Sequence, residues 1–356
     1  MKMSFQHPDL YVRMLNELSL GPQMGVIMDA ISYIIENGEP WLQYAAKLNI
    51  LNESKESLGD LRQRVLFEPK IKAYLSDITD FHNTLVTNHK NPDLPIHKLL
   101  FLLDIGLDTD VPEIESAVEK IMEHKDSNGV YQSLTNIPKH FGGSGEDMFG
   151  WCLCDAPLLL YALLRAGIDY NRHIKQGTDY LVSCYKTAGF PCTVSQELGK
   201  FRGPGRKDDC CPYASLIMLR LLSGIPEYCE SIITKETAMG LLSLWENSLE
   251  RHPYMFYMGT DFRKLKAPAM WYDIVSVVDV LSRFACVKSD ARFREMVEII
   301  RNKQDENGLF TPEAVFQKFK GWDFGQKKKP SPYLVYLCYQ IMDRMGDKAV
   351  TNNNLC

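Results

Sequence analysis

The sequence lacks the features of a membrane-spanning, secreted or strongly basic protein. Its longest apolar run, Ala156 to Leu164, is about half as long as the roughly 20 residues that a membrane span needs. The net charge is -5, which argues against a nucleic-acid-binding protein. The first ten residues, MKMSFQHPDL, contain no apolar signal core, so we expect a cytoplasmic protein without a membrane span.

Signals for disulfide bonds and for β-structure are also scarce. The ten cysteines among 356 residues do not follow the spacing of a secreted disulfide framework, so we expect thiols. The 45% of hydrophobic and 24% of charged residues are typical of a folded globular chain and exclude long disorder or a coiled-coil rod. We predict a single domain over 1–356, with N-terminal helices in 1–51 and the main repeats in 92–346.

Apolar residues recur with helical spacing in two kinds of segment. In the first kind, apolar positions at i, i+3, i+4 and i+7 oppose charged positions, which predicts a helix with one buried face. The second kind is apolar nearly all round, which predicts a fully buried helix. The amphipathic segments are Val111–His124, Arg172–Tyr185, Glu236–Leu249 and Ala291–Lys303, and the apolar segments are Pro95–Gly106, Asp155–Gly167, Pro212–Gly224, Trp271–Phe284 and Pro332–Gly346.

These two kinds of segment alternate, which indicates a repeat of helical hairpins. Each amphipathic segment leads into a turn that ends in an aromatic residue, at Tyr131, Phe190, Phe256 and Phe310. A linear stack of hairpins would leave both helix layers exposed, whereas a closed ring buries one helix of each pair. We therefore predict an all-α fold, an α/α toroid of five to six hairpins, to which Pro22–Leu51 contributes.

The apolar segments also share their boundary residues. Proline lies in or near the first turn of each, where a missing N–H is tolerated, at Pro95, Pro157, Pro212, Pro268 and Pro332. The predicted N-terminal caps are Asp93, Asp155, Asp209 and Ser331. Glycine follows four of the segments, at Gly106, Gly167, Gly224 and Gly346, as is common where helices end.

The repeats resemble those of terpenoid cyclases and of the β-subunits of protein prenyltransferases. The resemblance is greater to a prokaryotic squalene cyclase-like or prenyltransferase-like group, and it covers nearly the whole chain. The segments that carry it are GEPWLQYAAKLNIL, LPIHKLLFLLDIGL, HFGGSGEDMFGWCLCDAPLLLYALL, ELGKFRGPGRKDDCCPYASL, MGTDFRKLKAPAMWYDIVSVVDVLSRF and GWDFGQKKKPSPYL. The resemblance implies an α/α toroid with a central cavity, and it transfers no activity, because a fold does not determine a function.

Three loops that precede apolar segments are rich in lysine and arginine. Together KFRGPGRKDD, DFRKLK and KFKGWDFGQKKK hold twelve cationic and four acidic residues. Because the inner helices of an alternating ring run in the same direction, these loops meet at one mouth, where one sign of charge concentrates an oppositely charged ligand. We predict binding of a diphosphate, carboxylate or phenolate group by Lys200, Arg202, Arg206, Lys207, Arg263, Lys264, Lys266 and Lys328. Three independent solvated loops are the alternative.

The apolar interior of the ring is expected to hold the remainder of the ligand. Aromatic side chains on the apolar segments are candidates for its wall, with core packing as the alternative for each of them. The predicted substrate-binding residues of this group are Tyr213, Trp271, Tyr272 and Tyr333, and His140 is added from the loop before the second apolar segment.

Four aspartates near the starts of apolar segments are the candidate catalytic residues. Asp155 and Asp209 could equally cap their helices, and Asp273 is expected in the first helical turn. The adjacent pair Asp208 and Asp209 could exchange protons, because like charges raise one pKa while Arg206 and Lys207 lower it. The sequence does not determine which of these two effects on the pKa is larger.

The family resemblance adds two further interpretations of this segment. Class II terpene cyclases use DxDD, and the matching residues here are Arg206, Lys207, Asp208 and Asp209. Arg206 replaces the first acid and favours an ionised Asp208, which argues against polyene cyclisation. Protein prenyltransferases bind zinc through Asp-x-Cys and a distant His. Asp209-x-Cys211 and Asp208-x-Cys210 have the spacing, but the last two apolar segments contain no His.

The combined prediction is an enzyme that binds a small, largely apolar, anionic molecule in the toroid cavity. Acid-base chemistry by aspartate fits an isomerase, cyclase, lyase or hydrolase without a cofactor. One alternative is a zinc-dependent enzyme that uses Asp209, Cys211 and Cys210, and another is a non-catalytic binding module. The expected partner is a small molecule, not a nucleic acid. The sequence sets neither the substrate nor the oligomeric state.

Overall fold

The computed structural model describes residues 22–201, 203, 209–253 and 255–346. The α-helices, numbered in chain order, are α1 Pro22–Asn37, α2 Pro40–Asn49, α3 Gly59–Phe67, α4 Pro69–Ile78, α5 Pro95–Asp104, α6 Pro112–Glu123, α7 Ala156–Arg165, α8 Lys175–Ser183, α9 Pro212–Leu222, α10 Pro226–Cys229, α11 Ile232–Asn247, α12 Ile274–Leu281, α13 Ala291–Arg301 and α14 Pro332–Arg344. The short strands β1 Ser133–Thr135 and β2 Met148–Gly150 pair antiparallel, with Leu134 opposite Phe149. A π-helical turn at Tyr170–Ile174 precedes α8.

The inner layer is a closed series of helix contacts. Helix α5 packs on α7, α7 on α9, α9 on α12 and α12 on α14. Helix α14 then packs on α1 and α2. The aromatic rings of Trp41 on α2 and Phe101 on α5 lie 5.1 Å apart, which joins the two ends of the series. These contacts confirm the predicted toroid.

The outer layer consists of the amphipathic helices. Helix α6 packs on α7, α8 on α7, α11 on α9 and α13 on α12. Their apolar stripes are buried, as at Ile114, Ala117, Val118 and Ile121 on α6. Helix α4 covers α5 and helix α1 covers α2, so six pairs of helices complete the ring. The predicted Pro22–Leu51 segment thus forms the sixth hairpin.

Two inner helices begin differently from the sequence-based prediction. Helix α12 begins at Ile274, so Trp271 and Pro268 lie in the preceding loop and Asp273 is its N-cap. At α9 the N-cap is Cys211, whose sulfur accepts from the Ala214 N–H at 3.5 Å. The thiol occupies the capping position because Pro212 is the first helical residue, and Asp209 lies two positions earlier.

Of the remaining predicted N-caps, one accepts a hydrogen bond from its helix and two do not. Ser331 caps α14 by accepting from the Leu334 N–H at 3.1 Å. Asp155 occupies the N-cap position of α7, but its Oδ1 accepts from the Cys152 N–H at 2.9 Å instead of from the helix. Asp93 is not a cap, because α5 begins after Leu94. Its carboxylate pairs with Lys318 at 2.5 Å.

Glycine ends three inner helices in the left-handed region. Gly106 and Gly167 have φ of 95° and 80°, which a side chain with a Cβ rarely adopts. A Cβ on Gly106 would also lie 2.3 Å from the Leu48 side chain. At Gly106 the missing side chain therefore allows α2 to approach, whereas at Gly167 glycine is needed only for its φ.

No helix among the described residues combines the length and the apolarity that crossing a bilayer would require.

Candidate functional site

A cavity of about 830 Å³ extends along the inner helices of the ring. Its apolar wall includes Leu100 on α5, Leu158 on α7, Leu216 and Ile217 on α9, and Val280 on α12. Because the inner helices are apolar nearly all round, the face that each turns toward the cavity is also apolar. A volume of this size suits a small molecule rather than a peptide or a nucleic acid.

Aromatic side chains close around the end of the cavity where the inner helices begin. The rings of Tyr213 and Trp271 lie 4.1 Å apart, and Tyr333 lies 5.9 Å from Phe101; all four line the cavity. Lys98 is 8% exposed. Its ammonium is 2.6 Å from Asp77, a contact that neutralises the charge at this end.

The opposite end of the cavity carries a cluster of arginines. Arg165, Arg220, Arg283 and Arg344 lie in or just after the last turns of α7, α9, α12 and α14, and all four line the cavity. Cations are favoured at helix C-termini, where the macrodipole is negative. The cavity wall also contains Asp104, Asp279 and Asp343. We refer to the four guanidinium groups as the arginine cluster.

Asp279 holds three members of the arginine cluster together. Its carboxylate lies 2.8 Å from Arg283, 2.5 Å from Arg344 and 3.6 Å from Arg220. Burial would raise the pKa of Asp279, but the three guanidinium groups outweigh burial and hold it far below its ordinary value. Asp279 is therefore a permanently ionised anchor and not a proton donor.

Arg165 is the member of the arginine cluster whose carboxylate partner is most distant. It lies 3.9 Å from Asp104 and donates to the Leu103 carbonyl at 3.4 Å. Its side chain is 35% exposed and that of Asp104 is 47% exposed, whereas the Lys98 side chain at the opposite end is 9% exposed. Arg165 and Asp104 thus form a partly solvent-exposed charged pair at the C-terminal ends of the inner helices.

The hydroxyl of Tyr161 lies against the arginine cluster. It accepts a hydrogen bond from Arg283 Nη1 at 3.0 Å. Burial would raise the Tyr161 pKa, but the positive charges of Arg283 and Arg165 outweigh it and lower the pKa. A buried tyrosine with a lowered pKa is a better proton donor than an ordinary one.

The cationic side chains predicted to bind an anion are not part of the described wall of the cavity, although Phe319 of the third loop is. Lys264 and Lys266 pair with Asp261 at 3.2 and 3.6 Å, and Arg263 stacks on Trp245 of the outer layer, 4.5 Å from the ring centroid. Lys200 and Lys328 are exposed. Arg202, Arg206 and Lys207 lie outside the described residues.

The four predicted acids occupy different surroundings. Asp273 is fully buried, and its Oδ1 accepts from the Ser276 N–H at 3.0 Å. Burial raises its pKa to about 6 against the attraction of Lys266. Asp155 is also buried, near His89 and Cys152. Asp209 is half-buried, and Asp208 lies outside the described residues. None of the three described acids lines the cavity.

Of the other residues predicted to bind the ligand, three line the cavity and two do not. Tyr213, Trp271 and Tyr333 line the cavity. Tyr272 lies behind the wall, with its ring 5.0 Å from Phe256. His140 is exposed and lies against Phe141.

The predicted metal ligands do not form one of the groups suited to a metal ion. Two groups of three metal-ligating side chains occur in the described part of the chain, and neither contains Asp209, Cys210 or Cys211. Cys210 donates to the Thr187 carbonyl at 3.3 Å. Burial raises the pKa of the Cys211 thiol to about 12. The first three-residue group is His82, Glu123 and His124, and the second is His89, Cys152 and Asp155.

Comparison with known proteins finds matches among solved structures. The chain is similar in fold to a type II terpene cyclase. A variant of the enzyme MstE from Scytonema, in complex with geranylgeranyl dihydroxybenzoate, aligns over 91% of this chain and 96% of its own, with 9% identity and a TM-score of 0.40. The apo enzyme aligns over 92% and 98%, with 9% identity and a TM-score of 0.41. No protein-family model matches the chain, and the search of curated proteins gives no significant match.

The arginine cluster is the main feature that our sequence-based prediction missed. Its signal is present, because an arginine occurs near the end of four apolar segments, in LLRAG, LRLLSG, LSRF and DRMG. A repeat-by-repeat alignment of helix ends would have found it. The prediction considered the beginnings of the helices, where loop charges are more numerous.

Proposed function

We propose that the protein is an enzyme that binds a small, largely apolar molecule with an anionic group in its central cavity. The observation that carries this proposal is the arginine cluster at one end of an apolar cavity. Against these four guanidinium groups, the wall carboxylates of Asp104, Asp279 and Asp343 leave an excess of one positive charge, which an anionic group of the ligand would neutralise. The apolar part then lies between α5, α7, α9 and α12, where burial of its surface drives binding.

Arg165 is the principal contact for the anionic group in this proposal. Its nearest carboxylate is 3.9 Å away, so it can form a shorter, charge-assisted hydrogen bond with a ligand. Arg220, Arg283 and Arg344 are tied to Asp279. These three residues supply positive potential and shape, and the buried Nε of Arg283, which has no hydrogen-bond partner, is a further donor.

Tyr161 is the proposed proton-transfer group. Tyr161 is 2% exposed and lies behind the cavity wall, where its hydroxyl bonds Arg283, which is part of that wall. A shift of the Arg283 side chain would bring this hydroxyl, whose pKa is lowered, within reach of a ligand atom at the charged end of the cavity. Protonation and its reversal fit isomerisation, cyclisation, elimination or hydrolysis. Asp208 and Asp209, the acids expected from the sequence, remain a proposal for the same role.

Binding of dodecanoate, measured by isothermal titration calorimetry with dodecanol as a neutral counterpart, tests the anion site. We expect dodecanoate to bind more tightly than dodecanol. Arg165→Gln should weaken dodecanoate binding by about tenfold, since a charged hydrogen bond contributes about 1.5 kcal/mol or more. It should leave dodecanol binding unchanged. Arg172→Gln, an equal charge change at an exposed position outside the cavity, is the control.

Equal binding of dodecanoate and dodecanol, or an equal effect of the two arginine variants, would disprove the anion site. Catalysis is tested separately by incubating the protein with a small-molecule cell extract and searching by mass spectrometry for a consumed compound. Tyr161→Phe should retain dodecanoate binding and lose the conversion. Binding without any conversion by the unmodified protein would identify a binding module instead of an enzyme.

A further inference from the structure

A second group of reactive side chains lies next to the cavity wall, in two loops that precede inner helices. One ring nitrogen of His89, the Sγ of Cys152 and one carboxylate oxygen of Asp155 lie within 4.8 Å of one another. His89 comes from the loop before α5, and the other two residues lie in the turn that leads into α7. We refer to these three side chains as the His–Cys–Asp group.

Two polar atoms of this group are buried without a hydrogen-bond partner. They are the Nδ1 of His89 and the Oδ2 of Asp155. Leaving such atoms unsatisfied costs about 1–3 kcal/mol each, and native proteins rarely contain them without a reason. Two buried polar atoms without hydrogen-bond partners, one on His89 and one on Asp155, lie in this small group. Their proximity indicates that a bound species completes their contacts.

The backbone around the His–Cys–Asp group holds the side chains in place. The Cys152 N–H donates to Asp155 Oδ1 at 2.9 Å, which turns Oδ2 away from this bond. His97 Nε2 donates to the His89 carbonyl at 2.9 Å, because a carbonyl can only accept. Contacts of this kind orient metal ligands in proteins.

The group is shielded from solvent. Asp155 is 3% exposed and Cys152 is 1% exposed. A divalent cation bound among the three side chains would neutralise a thiolate and a carboxylate and would accept the imidazole lone pair.

We propose that His89, Cys152 and Asp155 bind a zinc ion. Imidazole nitrogen, thiolate sulfur and carboxylate oxygen are the three ligand types of zinc sites in proteins, and three protein ligands are the number found in catalytic sites. In a tetrahedral site the ligand atoms are roughly 3.5 Å apart, so binding needs only small side-chain movements. The site is independent of the anion site, since it lies near the beginnings of the inner helices.

The other metal-suited group, His82, Glu123 and His124, does not carry the same proposal. His82 Nδ1 already pairs with Glu123 at 3.3 Å, and His82 Nε2 contacts the Lys120 carbonyl. The ring of His124 stacks on Phe149 at 3.5 Å, and the Glu123 side chain is 61% exposed. None of its polar atoms is buried without a partner.

Metal content of the full chain, purified with zinc in the buffer and then dialysed, tests the site. We expect one zinc per chain by elemental analysis. Cobalt(II), titrated into the zinc-free protein, should give the intense visible absorption of tetrahedral cobalt and a thiolate charge-transfer band. Both signals should be lost in Cys152→Ser and Asp155→Asn. Cys184→Ser, which alters a half-buried thiol on the outer layer, should retain both.

The double variant Asp209→Asn, Cys211→Ser separates this site from the Asp-x-Cys pair expected from the sequence, and it should retain zinc. Circular dichroism identifies any variant that fails to fold, and His89→Gln then replaces it. The proposal is overturned if the unmodified protein binds neither metal, or if the Cys152 and Asp155 variants keep it. Loss of zinc only in the double variant would also overturn it. Dodecanoate binding is measured on the same samples, so the two proposals can fail separately.

Discussion

At the scale of single residues, the two buried aspartates of α12 show how surroundings set the charge. Asp279 contacts three guanidinium groups, which lower its pKa. Asp273, at the beginning of the same helix, contacts no cation closely, and burial raises its pKa to about 6. Residue type and helix position predict neither value, because the partners of Asp279 come from α9 and α14 as well as from α12.

Asp273→Asn should change the pH dependence of stability. Because the folded-state pKa of about 6 exceeds the ordinary 3.8, the folded state holds more protons between pH 4 and 6. The free energy of unfolding therefore falls as pH rises through that interval. Asparagine also serves as an N-cap. Relative to the unmodified protein, the variant should gain about 2 kcal/mol between pH 4 and 6, measured by urea unfolding.

Asp290→Asn is the matched control, because Asp290 is also an N-cap and accepts from the Arg292 N–H at 2.9 Å. The Arg292 side chain lowers its pKa below 3.8, so Asp290 stays ionised between pH 4 and 6. The stability difference between this variant and the unmodified protein should stay constant in that interval. A constant difference for Asp273→Asn as well would contradict the raised pKa.

At the scale of elements, local signals predicted most helix boundaries and missed those set by distant contacts. Helices α5, α9 and α14 begin at the predicted prolines, and Gly106 and Gly167 follow helix ends as expected. The start of α12 was misplaced, since the apolar residues from Trp271 onward have the composition of a buried helix. Trp271 lies in a loop instead, where its ring packs on Tyr213 of another helix.

Ser331→Ala should destabilise the protein more than Ser231→Ala does. Both serines cap a helix through the hydroxyl oxygen, on α14 and on α11, which accounts for about 1 kcal/mol each. Ser331 also donates to the Asp323 carboxylate at 2.5 Å, whereas Ser231 donates to the neutral hydroxyl of Thr234 at 3.0 Å. Loss of the Ser331 hydroxyl therefore costs about 2 kcal/mol in total. The comparison is made by chemical denaturation, and equal losses would show that the Asp323 contact contributes no more than the Thr234 contact.

At the scale of the whole molecule, closure of the ring depends on an aromatic cluster that joins α2, α5 and α14. Trp41 is fully buried, and its ring lies 5.1 Å from those of Phe101 and Tyr333 and 5.6 Å from that of Trp322. Phe101 and Tyr333 also line the cavity. Packing at the closure is thus continuous with the cavity wall.

Trp41→Ala should therefore affect both stability and ligand binding. Removal of a fully buried tryptophan lowers the free energy of unfolding by about 3–5 kcal/mol. Phe101 and Tyr333 lose a packing partner, so the cavity wall is less ordered and dodecanoate should bind more weakly. Trp245→Ala is the control, because Trp245 is buried in the outer layer and donates to Glu295 at 3.0 Å. We expect it to lower the midpoint of thermal unfolding without changing dodecanoate affinity at a temperature where both variants are folded. If both variants bind dodecanoate as tightly as the unmodified protein does, packing at the ring closure does not support the cavity wall.

The sequence by itself determined the alternation of inner and outer helices and therefore the toroid. Helix amphipathicity and the proline and glycine boundaries are local properties, which a single chain displays in order. The tertiary structure alone decided which charges meet. Arg220, Arg283 and Arg344 converge on Asp279 from three helices, and His89 joins Cys152 and Asp155 from a separate hairpin. Such groupings depend on the rotation of each helix about its axis and on the path of each loop, which are set by packing between residues distant in sequence.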